Sequence, residues 1–458
     1  MKTKLLNILY RLYNIFELTV ASISFLHYLC SNRFRHASHR TAYQGGTFAF
    51  YAMNIMKNKK NALWALLLMF LMPSVAGAQV AAFEEWAKNP SGELVEQEFA
   101  VAALDKAACE RAAEIVDSLW MKETAKRLYR TWGNMTISHD SIKLSCAVRT
   151  FGMMPKDGRS LYISMHGGGH CPKEVNDEQW VNQIYLYEPK EGVYIAPRAP
   201  WNTSDLWHRK GLDELLEDLI AACVVYEGVN PNKVYLMGYS AGGDGVWRLA
   251  PRMADKWAAA SMMAGHPGEA SQVNLINLPY MIWMGEHDHY YDRNILAKEK
   301  AIVMDSLSNA NPGKYIHQSN IVPDKGHWMD RVDTLSLEWM SQYRRNPYPK
   351  KVVWRQEVVL RENFYWLEAP TDEVAHGKCV VASIDGNTIN IEQCDYSKLT
   401  IYINDRMLDL DKKVKVVYNG KKLFNKKVKR TIATLHKSLA KRNDRSYAFP
   451  AMIEVEVK

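Results

Sequence analysis

The feature that most constrains this chain is a serine flanked by glycines at the end of an apolar, strand-like run. Residues 234–243 read VYLMGYSAGG, with Ser240 between Gly238 and Gly242. A strand that ends in Gly-x-Ser-x-Gly can turn so sharply into a helix that the serine stands exposed at the apex, a geometry that only small neighbours tolerate. An ordinary glycine-rich turn has the same letters. Ser240 is therefore a candidate nucleophile that needs partners elsewhere in the chain.

Strand-like and helix-like patterns alternate on both sides of this serine. The predicted strands are KLSCAVRTF, SLYISM, GVYIAP, VYLMGYS, AAASMMAG, PYMIWMG and IHQSNIV. Helical stripes lie between them, and the clearest runs from Leu212 to Val224. This alternation predicts an α/β domain over residues 136–346, with a mostly parallel sheet flanked by helices. The Ala-, Leu-, Glu- and Lys-rich residues 79–135 predict a helical segment before it.

A smaller β-rich domain is expected over residues 352–458. The linker RRNPYPKK ends the alternating pattern, and turn signals at Asp385-Gly386 and Asn419-Gly420 then separate short strand-like runs. The run of Lys and Arg from Lys412 to Arg442 has two explanations, a binding patch or, more commonly, a solvated face.

The N-terminus carries an export signal pattern. Residues 56–78 have a basic start, an apolar middle and Ala-Gly-Ala before Gln79, which predicts a signal peptide. Residues 1–55 are interpreted as an upstream extension or a mis-assigned start. A membrane-anchored form is the alternative, but both apolar runs are shorter than a spanning helix usually needs. We expect an exported protein, periplasmic or extracellular, without stable membrane insertion after processing.

The charge balance gives no reason to expect nucleic acid as a partner. The formal net charge is +8, but residues 1–78 hold nine Lys and Arg against the single acid Glu17. The remaining residues carry 49 basic and 49 acidic side chains. A chain that is neutral after processing has no overall field for a polyanion or an acidic membrane.

The six cysteines after Gln79 do not fix a disulfide pattern. Cys379 and Cys394 lie in the same strand-rich segment and are the pair we expect, whereas Cys223 lies on the apolar face of a helix and is expected in the core. The spacings of the cysteines fit no zinc-finger pattern.

Two candidate partners of Ser240 follow it at the ends of predicted strands. A serine hydroxyl needs a histidine to take its proton and a carboxylate to orient that histidine. The strand PYMIWMG runs into GEHDHYYD, which offers Asp288, with Asp292 as its rival. The strand IHQSNIV runs into PDKGHWMD, which offers His327. The order Ser, Asp, His is the one used when a serine stands on a strand-to-helix turn.

A glycine-rich loop upstream supplies candidate oxyanion donors. The strand SLYISM runs into HGGGHC, residues 166–171. Consecutive glycines leave backbone N–H groups able to point into a site, although a glycine run alone is also found in flexible loops. We assign the oxyanion hole to the N–H groups of Gly167, Gly168 and Ala241, the residue after the serine.

These motifs together resemble the α/β-hydrolase fold over residues 95–345. The likeness is to secreted bacterial serine esterases, loosely grouped with polyhydroxybutyrate-depolymerase-like and prolyl-oligopeptidase-like hydrolases. The resemblance implies that Ser240, Asp288 and His327 form a catalytic triad beside the oxyanion loop that starts at His166. It also implies pocket-lining segments here represented by HCPKEVNDEQW and APRAPWNTSDLW. The candidate substrate contacts are His166, Trp180, Arg198, Trp201 and Trp207, with packing as the commoner role of the tryptophans.

The expected activity is hydrolysis of carboxylic esters through an acyl-enzyme. Short acyl or acetyl esters of small molecules or carbohydrates are the expected substrates, and no cofactor is needed. A metal is not expected, because the adjacent side chains of residues 286–289 (EHDH) would diverge along an extended loop. Two alternatives stay open, a serine peptidase that acts on short peptides and a non-catalytic binding protein. The sequence leaves the oligomeric state undetermined.

Overall fold

The computed structural model describes residues 75–457. Residues 1–55 and all but the last four residues of the expected signal peptide therefore lie outside the described residues. Helix α1 starts at Val75 and includes Gln79, the expected first residue of the processed chain. Among the described helices, none combines the length and apolar composition required to cross a membrane.

The described chain begins with a helical segment and continues into strands and helices that alternate. The helices of this part are α1 (Val75–Lys88), α2 (Glu98–Val101), α3 (Lys106–Gly133), α4 (Lys173–Leu186), α5 (Leu212–Tyr226), α6 (Ala241–Arg252), α7 (Arg293–Ala310) and α8 (Leu335–Met340). The strands are β1 (Thr136–His139), β2 (Ile142–Phe151), β3 (Arg159–Met165), β4 (Gly192–Arg198), β5 (Val229–Tyr239), β6 (Ala259–Met263), β7 (Tyr280–Gly285) and β8 (His317–Val322). Short 3₁₀ turns lie at Leu94–Glu96, Val273–Asn277, Tyr290–Asp292 and Val332–Thr334.

These eight strands form one sheet in the order β1-β2-β4-β3-β5-β6-β7-β8. The pairs β1–β2 and β2–β4 are antiparallel, and every other neighbouring pair is parallel. A mostly parallel sheet with this strand order and with helices on its faces is the α/β-hydrolase fold, as the sequence predicts.

Both faces of the sheet are buried, which explains the nearly continuous apolar runs of its strands. Side chains alternate along β3: Leu161 and Ile163 belong to one hydrophobic cluster and Tyr162 belongs to a second cluster. The first cluster also receives α3 and α5, and the second receives Leu337 and Met340 of α8. Helices therefore cover the two faces of the sheet.

The connections of the sheet place a crevice between β3 and β5. These two strands are neighbours, but the chain leaves β3 toward β4 on one side and leaves β5 toward β6 on the other. In open α/β sheets, ligands bind outside the carboxyl ends of the strands at such a reversal. The predicted glycine loop follows β3 and Ser240 follows β5, so both lie at this point.

The C-terminal part is rich in strands and also contains a helix. Its elements are β9 (Lys351–Arg355), β10 (Asn363–Phe364), β11 (Leu367–Glu368), β12 (Cys379–Asp385), β13 (Thr388–Cys394), β14 (Lys398–Ile403), β15 (Val414–Tyr418), β16 (Lys421–Lys426), α9 (Ile432–Arg442), a 3₁₀ turn at Arg445–Tyr447 and β17 (Ala451–Glu456). They form a sheet ordered β10-β11-β14-β17 and a second ordered β16-β15-β13-β12-β9. The predicted turns at Asp385-Gly386 and Asn419-Gly420 join β12 to β13 and β15 to β16.

Buried ion pairs join the C-terminal part to the α/β-hydrolase part. The Arg361 guanidinium lies 3.2 Å from a carboxylate oxygen of Asp213 and 2.7 Å from one of Glu217, both on α5. Arg345, just before β9, bonds Asp444 over 2.6 Å. One hydrophobic cluster also continues from the sheet into the C-terminal strands. The two parts therefore pack as one compact unit over the described residues 75–457.

The expected disulfide between Cys379 and Cys394 is a wrong prediction, because Cys379 is a free thiol. The register explains this: Val380, not Cys379, lies opposite Cys394 in the β12–β13 pair. Successive side chains point to opposite faces of a strand, so the thiols of Cys379 and Cys394 lie on opposite faces of the sheet. Cys223 is fully buried in the core, as expected.

Candidate active site

Ser240 stands on a strained turn between β5 and α6. Its backbone has φ 57° and ψ −121°, which a residue with a side chain rarely adopts. The two flanking glycines make the turn possible: a Cβ on Gly238 would overlap the backbone of Gly242, and one on Gly242 would overlap the carbonyl of Met165. The Gly-x-Ser-x-Gly pattern is thus required by backbone packing at this crossing.

The structure brings Ser240, His327 and Asp288 into one hydrogen-bonded chain. The His327 Nε2 atom lies 2.9 Å from Ser240 Oγ, and its Nδ1 atom lies 2.7 Å from an Asp288 carboxylate oxygen. The Asp288 side chain is buried and that of His327 is 44% exposed. Asp292 is exposed and lies at the N-cap position of α7. The histidine can therefore accept a proton from the serine while the buried carboxylate fixes the imidazole.

Contacts between the loops hold this chain in place. The β7 loop that carries Asp288 passes close to the β8 loop that carries His327, since a Cβ on Gly285 would overlap the carbonyl of Gly326. The Tyr239 hydroxyl donates to the carbonyl of His327 over 2.8 Å and accepts from the N–H of Met329 over 3.2 Å. Tyr239, the residue before the serine, thus positions the histidine loop. Its place next to Ser240 is the only sequence signal for this role.

The glycine loop after β3 lies against Ser240. A Cβ on Gly167 would lie 3.1 Å from the Cβ of Ser240, so the loop approaches the serine closely. Gly168 and Gly169 have φ of 105° and 121°, which only glycine adopts without strain. Ala241 is the first residue of α6, and the first N–H groups of a helix have no carbonyl partner within it. The three residues predicted to supply oxyanion donors all line the pocket that contains Ser240.

Asn176 of α4 clamps the glycine loop. Its Oδ1 accepts from the N–H of Gly169 over 2.9 Å, and its Nδ2 donates to the carbonyls of Gly169 over 3.1 Å and of Cys171 over 3.3 Å. Asn176 is fully buried. Asn176 thus takes up the N–H of Gly169, and Gly167 and Gly168 stay the predicted oxyanion donors of this loop. Sequence reasoning missed this residue, since it treated residues 170–180 (HCPKEVNDEQW) as a pocket-lining segment without a helix, whereas α4 starts at Lys173.

His166 shapes the loop from below and is fully buried. Its Nε2 accepts from the N–H of Ala199 over 3.1 Å, so the proton is on Nδ1, which donates to the carbonyl of Gly167 over 2.6 Å. Burial lowers the pKa of His166 to about 4, which keeps the ring neutral. The Trp207 indole N–H donates to the His166 carbonyl over 2.8 Å.

The five predicted substrate contacts do not line the pocket above Ser240. His166 and Trp207 are fully buried, so their assignment to substrate is corrected to packing beneath the glycine loop. The Trp180 indole N–H bonds the carbonyl of Ala196 over 2.8 Å. Arg198 pairs with Asp177 over 2.8 Å, and the Trp201 ring lies under the Arg209 guanidinium. These side chains were chosen by type, and the tertiary fold turns them away from the pocket.

The pocket above Ser240 has a volume of ≈ 1060 Å³, just above the roughly 300–1,000 Å³ of typical small-molecule sites. Helix α4 forms one wall, with Val175, Tyr185 and Leu186. The opposite wall is formed by α6 and by the segments that follow β6, β7 and β8. Its residues are Asp244, His266, Tyr291, Arg293, Trp328 and Arg331. Tyr185, Tyr291 and Trp328 are 66%, 71% and 50% exposed, so aromatic rings do surround the pocket, but not the predicted ones.

Charged groups cluster on the wall formed by α6 and the β6 and β7 loops. An Asp244 carboxylate oxygen accepts from the N–H of His266 over 2.6 Å. Burial raises the pKa of Asp244 and lowers that of His266, and the positive charge of Arg293 acts against the first shift and adds to the second. The pocket is therefore polar on this side and aromatic at its mouth.

The run Glu286 to His289 does not converge on one point. Asp288 bonds His327, and the His289 ring bonds the Asn294 amide over 3.2 Å. Glu286 and His287 instead come together with Asp324, with ligand atoms within 4.8 Å of one another. His287 and Asp324 are exposed, and the Glu286 carboxylate accepts from the N–H of Asp324 over 3.3 Å. None of these three residues lines the Ser240 pocket.

Comparison with known proteins gives only distant structural likenesses. No protein-family model matches the chain, and no curated protein matches it. Among solved structures, the chain is similar to a thermostable esterase, with 14% identity, 46% of this chain and 62% of that chain covered, and a TM-score of 0.36. It is also similar to the Bacillus cereus carboxylesterase, with 15% identity, 47% and 98% covered, and a TM-score of 0.33. An acetyl xylan esterase from Aspergillus awamori has 14% identity, 43% and 93% covered, and a TM-score of 0.30.

Proposed function

We propose that this chain is a serine hydrolase that cleaves carboxylic esters through an acyl-enzyme. The observation that carries the proposal is the hydrogen-bonded chain from Ser240 Oγ through His327 to Asp288 at the floor of an open pocket. A nucleophile, a base and an orienting carboxylate in this geometry are what acyl transfer needs.

In the first half of the reaction, Ser240 Oγ attacks the ester carbonyl while its proton passes to His327 Nε2. Asp288, on Nδ1, holds the ring in the tautomer that leaves Nε2 free to accept and then stabilises the imidazolium. The negative charge on the carbonyl oxygen is met by the N–H groups of Gly167, Gly168 and Ala241. Loss of one such donor costs about 3 kcal/mol in comparable sites. The tetrahedral intermediate collapses when His327 gives its proton to the departing alcohol.

In the second half, a water molecule repeats these steps on the acyl-enzyme. His327 takes the proton of the water, the oxygen attacks the acyl carbon, and the carboxylic acid leaves as the proton returns to Ser240. The His327 side chain is 44% exposed, so water can reach it from the pocket. No step requires a cofactor or a metal, because the protein side chains and backbone supply each proton and charge.

The aromatic mouth of the pocket supports a substrate with a flat ring. Tyr185 on α4 faces the loops that carry Tyr291 and Trp328 across the opening. Exposed aromatic side chains beside a site offer apolar, polarisable surfaces to sugars and phenolic rings. We therefore propose short acyl esters, including acetyl esters on carbohydrates, as the substrate class.

Export is a further part of the proposal and depends on sequence alone. The basic and apolar run of residues 56–78 with its small residues before Gln79 supports cleavage near Gln79 and an extracytoplasmic location. N-terminal sequencing of the mature protein from the producing cell tests this. A product that retains residues upstream of Met56 in the membrane fraction would contradict it.

The catalytic proposal is tested with a fluorophosphonate probe and a substrate panel on the protein starting at Gln79. We expect the probe to label Ser240, and Ser240→Ala to lose both labelling and turnover while it keeps the wild-type melting temperature. The panel is p-nitrophenyl acetate, an acetylated xylo-oligosaccharide and aminoacyl p-nitroanilides, compared by kcat/KM.

Esters should exceed anilides by at least about a hundredfold, or about 3 kcal/mol in transition-state stabilisation. Amide cleavage needs more exact proton delivery to a poorer leaving group. Preferential cleavage of the anilides would instead make the chain a peptidase. Undiminished turnover by folded Ser240→Ala would show that Ser240 is not the nucleophile.

A further inference from the structure

We propose that the active-site pocket contains a carboxylate-binding subsite in which Arg293 is the anion-binding residue. The inference rests on the proposed function and narrows its substrate class to esters whose acyl or alcohol part carries a carboxylate. Three observations support it, namely the burial of Arg293 without an ion pair, the unpaired Nη2 group of its guanidinium and its fixed place beside the catalytic acid.

Arg293 is buried in the pocket wall without a carboxylate partner. The residue is 8% exposed and lines the same pocket as Ser240. Among the described residues, its Nε is a buried nitrogen with no hydrogen-bond partner. Its hydrogen bond with the protein runs from Nη1 to the carbonyl of Tyr290 over a long 3.4 Å. Buried charges are normally paired, so an arginine in this state indicates that a ligand supplies the counter-charge.

The nearby carboxylate of Asp244 does not supply that counter-charge directly. Within residues 75–457, Asp244 and Arg293 are not joined by an ion pair, although their charges interact at longer range. One oxygen of Asp244 is taken by the N–H of His266 over 2.6 Å. A second cation, the exposed Arg331, lies at the rim of the same pocket. Among the described residues, no acceptor therefore bonds the Nε of Arg293, and no carboxylate forms an ion pair with its guanidinium.

The unpaired Nη2 group of the Arg293 guanidinium can bind a carboxylate. With Nη1 directed to the Tyr290 carbonyl, the Nε–Nη2 edge has no protein acceptor in the described part of the chain. Because Nε is buried, the group that a ligand can reach is Nη2, whose N–H groups can donate charge-assisted hydrogen bonds to a carboxylate oxygen, which are stronger than neutral hydrogen bonds. The ring of Tyr291 lies 5.0 Å from the guanidinium carbon, a cation–π contact.

The position of Arg293 is fixed relative to the catalytic acid. Arg293 starts α7 directly after the loop that carries Asp288, and the N–H of Asn294 donates to the carbonyl of Asp288 over 3.1 Å. Between them, Tyr291 and Asp292 both adopt left-handed backbone, with φ of 57° and 54°. An anion held by Arg293 would therefore lie at a defined distance from the ester carbonyl on Ser240, which is how a subsite selects among substrates.

The test compares matched pairs of anionic and neutral esters at low ionic strength. On the acyl side, the mono-p-nitrophenyl ester of adipic acid is paired with p-nitrophenyl hexanoate, which has a methyl group in place of the carboxylate. On the alcohol side, O-acetylated galacturonic acid is paired with O-acetylated galactose. The readout is the ratio of kcat/KM for the anionic ester to that for its neutral partner. The pair with the high ratio shows which side of the ester the subsite binds.

For wild type we expect a ratio of at least about ten in one of the pairs, and Arg293→Gln should lower it by about tenfold or more, in line with the loss of a charged hydrogen bond. Arg293→Lys, which keeps the charge but not the fork, should retain part of the ratio. Lys298→Gln is the matched control, because Lys298 is exposed on the same helix and does not line the pocket. It should leave the ratio at the wild-type value.

The outcomes separate the two proposals. If wild type hydrolyses neutral esters and the ratio is one or less in both pairs, the subsite proposal is wrong and the esterase proposal stands. If no ester is hydrolysed and Ser240 is not labelled by a fluorophosphonate, the proposed function itself is wrong. If Arg293→Gln does not fold, the wild-type ratio is measured at increasing salt. A ratio that decreases with salt supports the subsite, since screening weakens a charge-dependent preference, and a ratio that does not change contradicts it.

Discussion

Asn176 binds both polar groups of Gly169, accepting from its N–H over 2.9 Å and donating to its carbonyl over 3.1 Å. This pair of hydrogen bonds fixes the orientation of the glycine loop from a buried position on α4. A side chain on Gly168 would overlap the Asn176 amide, so loop and helix are fitted to each other. The proposed oxyanion donors Gly167 and Gly168 therefore depend on a residue that does not touch the substrate.

The first prediction is that Asn176→Ala lowers kcat by about tenfold or more, less than the loss of a whole oxyanion donor. KM should change much less, because the misplaced N–H groups act on the transition state. Asn176→Asp is a second variant: it keeps the acceptor for the Gly169 N–H but loses the donor to the carbonyls of Gly169 and Cys171, so its kcat should also stay below that of wild type. Steady-state kinetics on p-nitrophenyl acetate, with a melting curve for each variant, measures this. An unchanged kcat in folded Asn176→Ala would remove its positioning role.

The central sheet could be predicted from the sequence because its signals are local. Each buried strand is a short apolar run, and the turns at Gly238 and Gly285 follow from backbone contacts that only glycine allows. The hydrogen bonds of Ser240 with His327 and of His327 with Asp288 could be anticipated in the same way, since parallel strands bring their carboxyl ends to one edge.

The pocket wall could not be predicted, because it depends on how distant elements pack. Helix α4 has a weak apolar stripe and follows a glycine-rich loop, so its segment gave little helical signal. Trp180 and Trp207 look suited to a sugar site by residue type, yet packing directs both into the protein. The faces of Cys379 and Cys394 likewise depend on a strand register that composition does not specify.

The second prediction concerns the choice of acid. Asp288→Asn should lower kcat by about 10⁴-fold through the wrong histidine tautomer, by analogy with the serine-protease case. Asp292→Asn is the matched variant on the same loop and should retain most activity, because Asp292 is exposed and does not bond His327. Kinetics of both variants on one ester decides between them. A larger effect of Asp292→Asn would reverse the assignment.

The third prediction is a dependence of stability on pH from His166. Burial lowers its pKa from 6.5 to about 4 in the folded chain. Between pH 6.5 and pH 4, His166 is therefore protonated in the unfolded chain but neutral in the folded chain. The stabilising contribution of the neutral ring is complete above about pH 6.5, and it decreases as the pH falls toward 4. The loss is on the order of 3 kcal/mol.

This contribution is isolated by comparison with His166→Asn, which cannot titrate. Urea unfolding of both proteins from pH 7.5 to 4.5 gives the difference in free energy of unfolding at each pH. The free energy of unfolding of wild type should exceed that of His166→Asn at neutral pH, and this difference should become smaller as the pH falls. A constant difference across the range would show that His166 is not held neutral by burial.

The last prediction concerns the attachment of the C-terminal part to the α/β-hydrolase part through Arg345 and Asp444. The Arg345 side chain is 1% exposed and that of Asp444 is 5% exposed, with 2.6 Å between nitrogen and oxygen. Asp444→Ala would leave the arginine charge buried without its partner, which costs about 3–5 kcal/mol when a buried pair is broken this way. Asp444 also accepts from the N–H of Ser446 over 2.9 Å, and Asp444→Asn keeps an acceptor there and should lose less. Because Lys398 is exposed and pairs with exposed Glu456, Lys398→Ala is the control with little expected effect.

Urea unfolding measures this prediction when tryptophan fluorescence and esterase activity are followed together. Tryptophans lie in both parts of the chain, for example Trp247 in α6 and Trp354 in β9, and both are buried. Because a continuous core and buried ion pairs join the two parts, the two signals should be lost in one transition in wild type. In Asp444→Ala the midpoint should move to lower urea for both signals together. A fluorescence change that precedes the loss of activity would instead mean that the C-terminal domain unfolds independently and that the pair does not couple it to the active site.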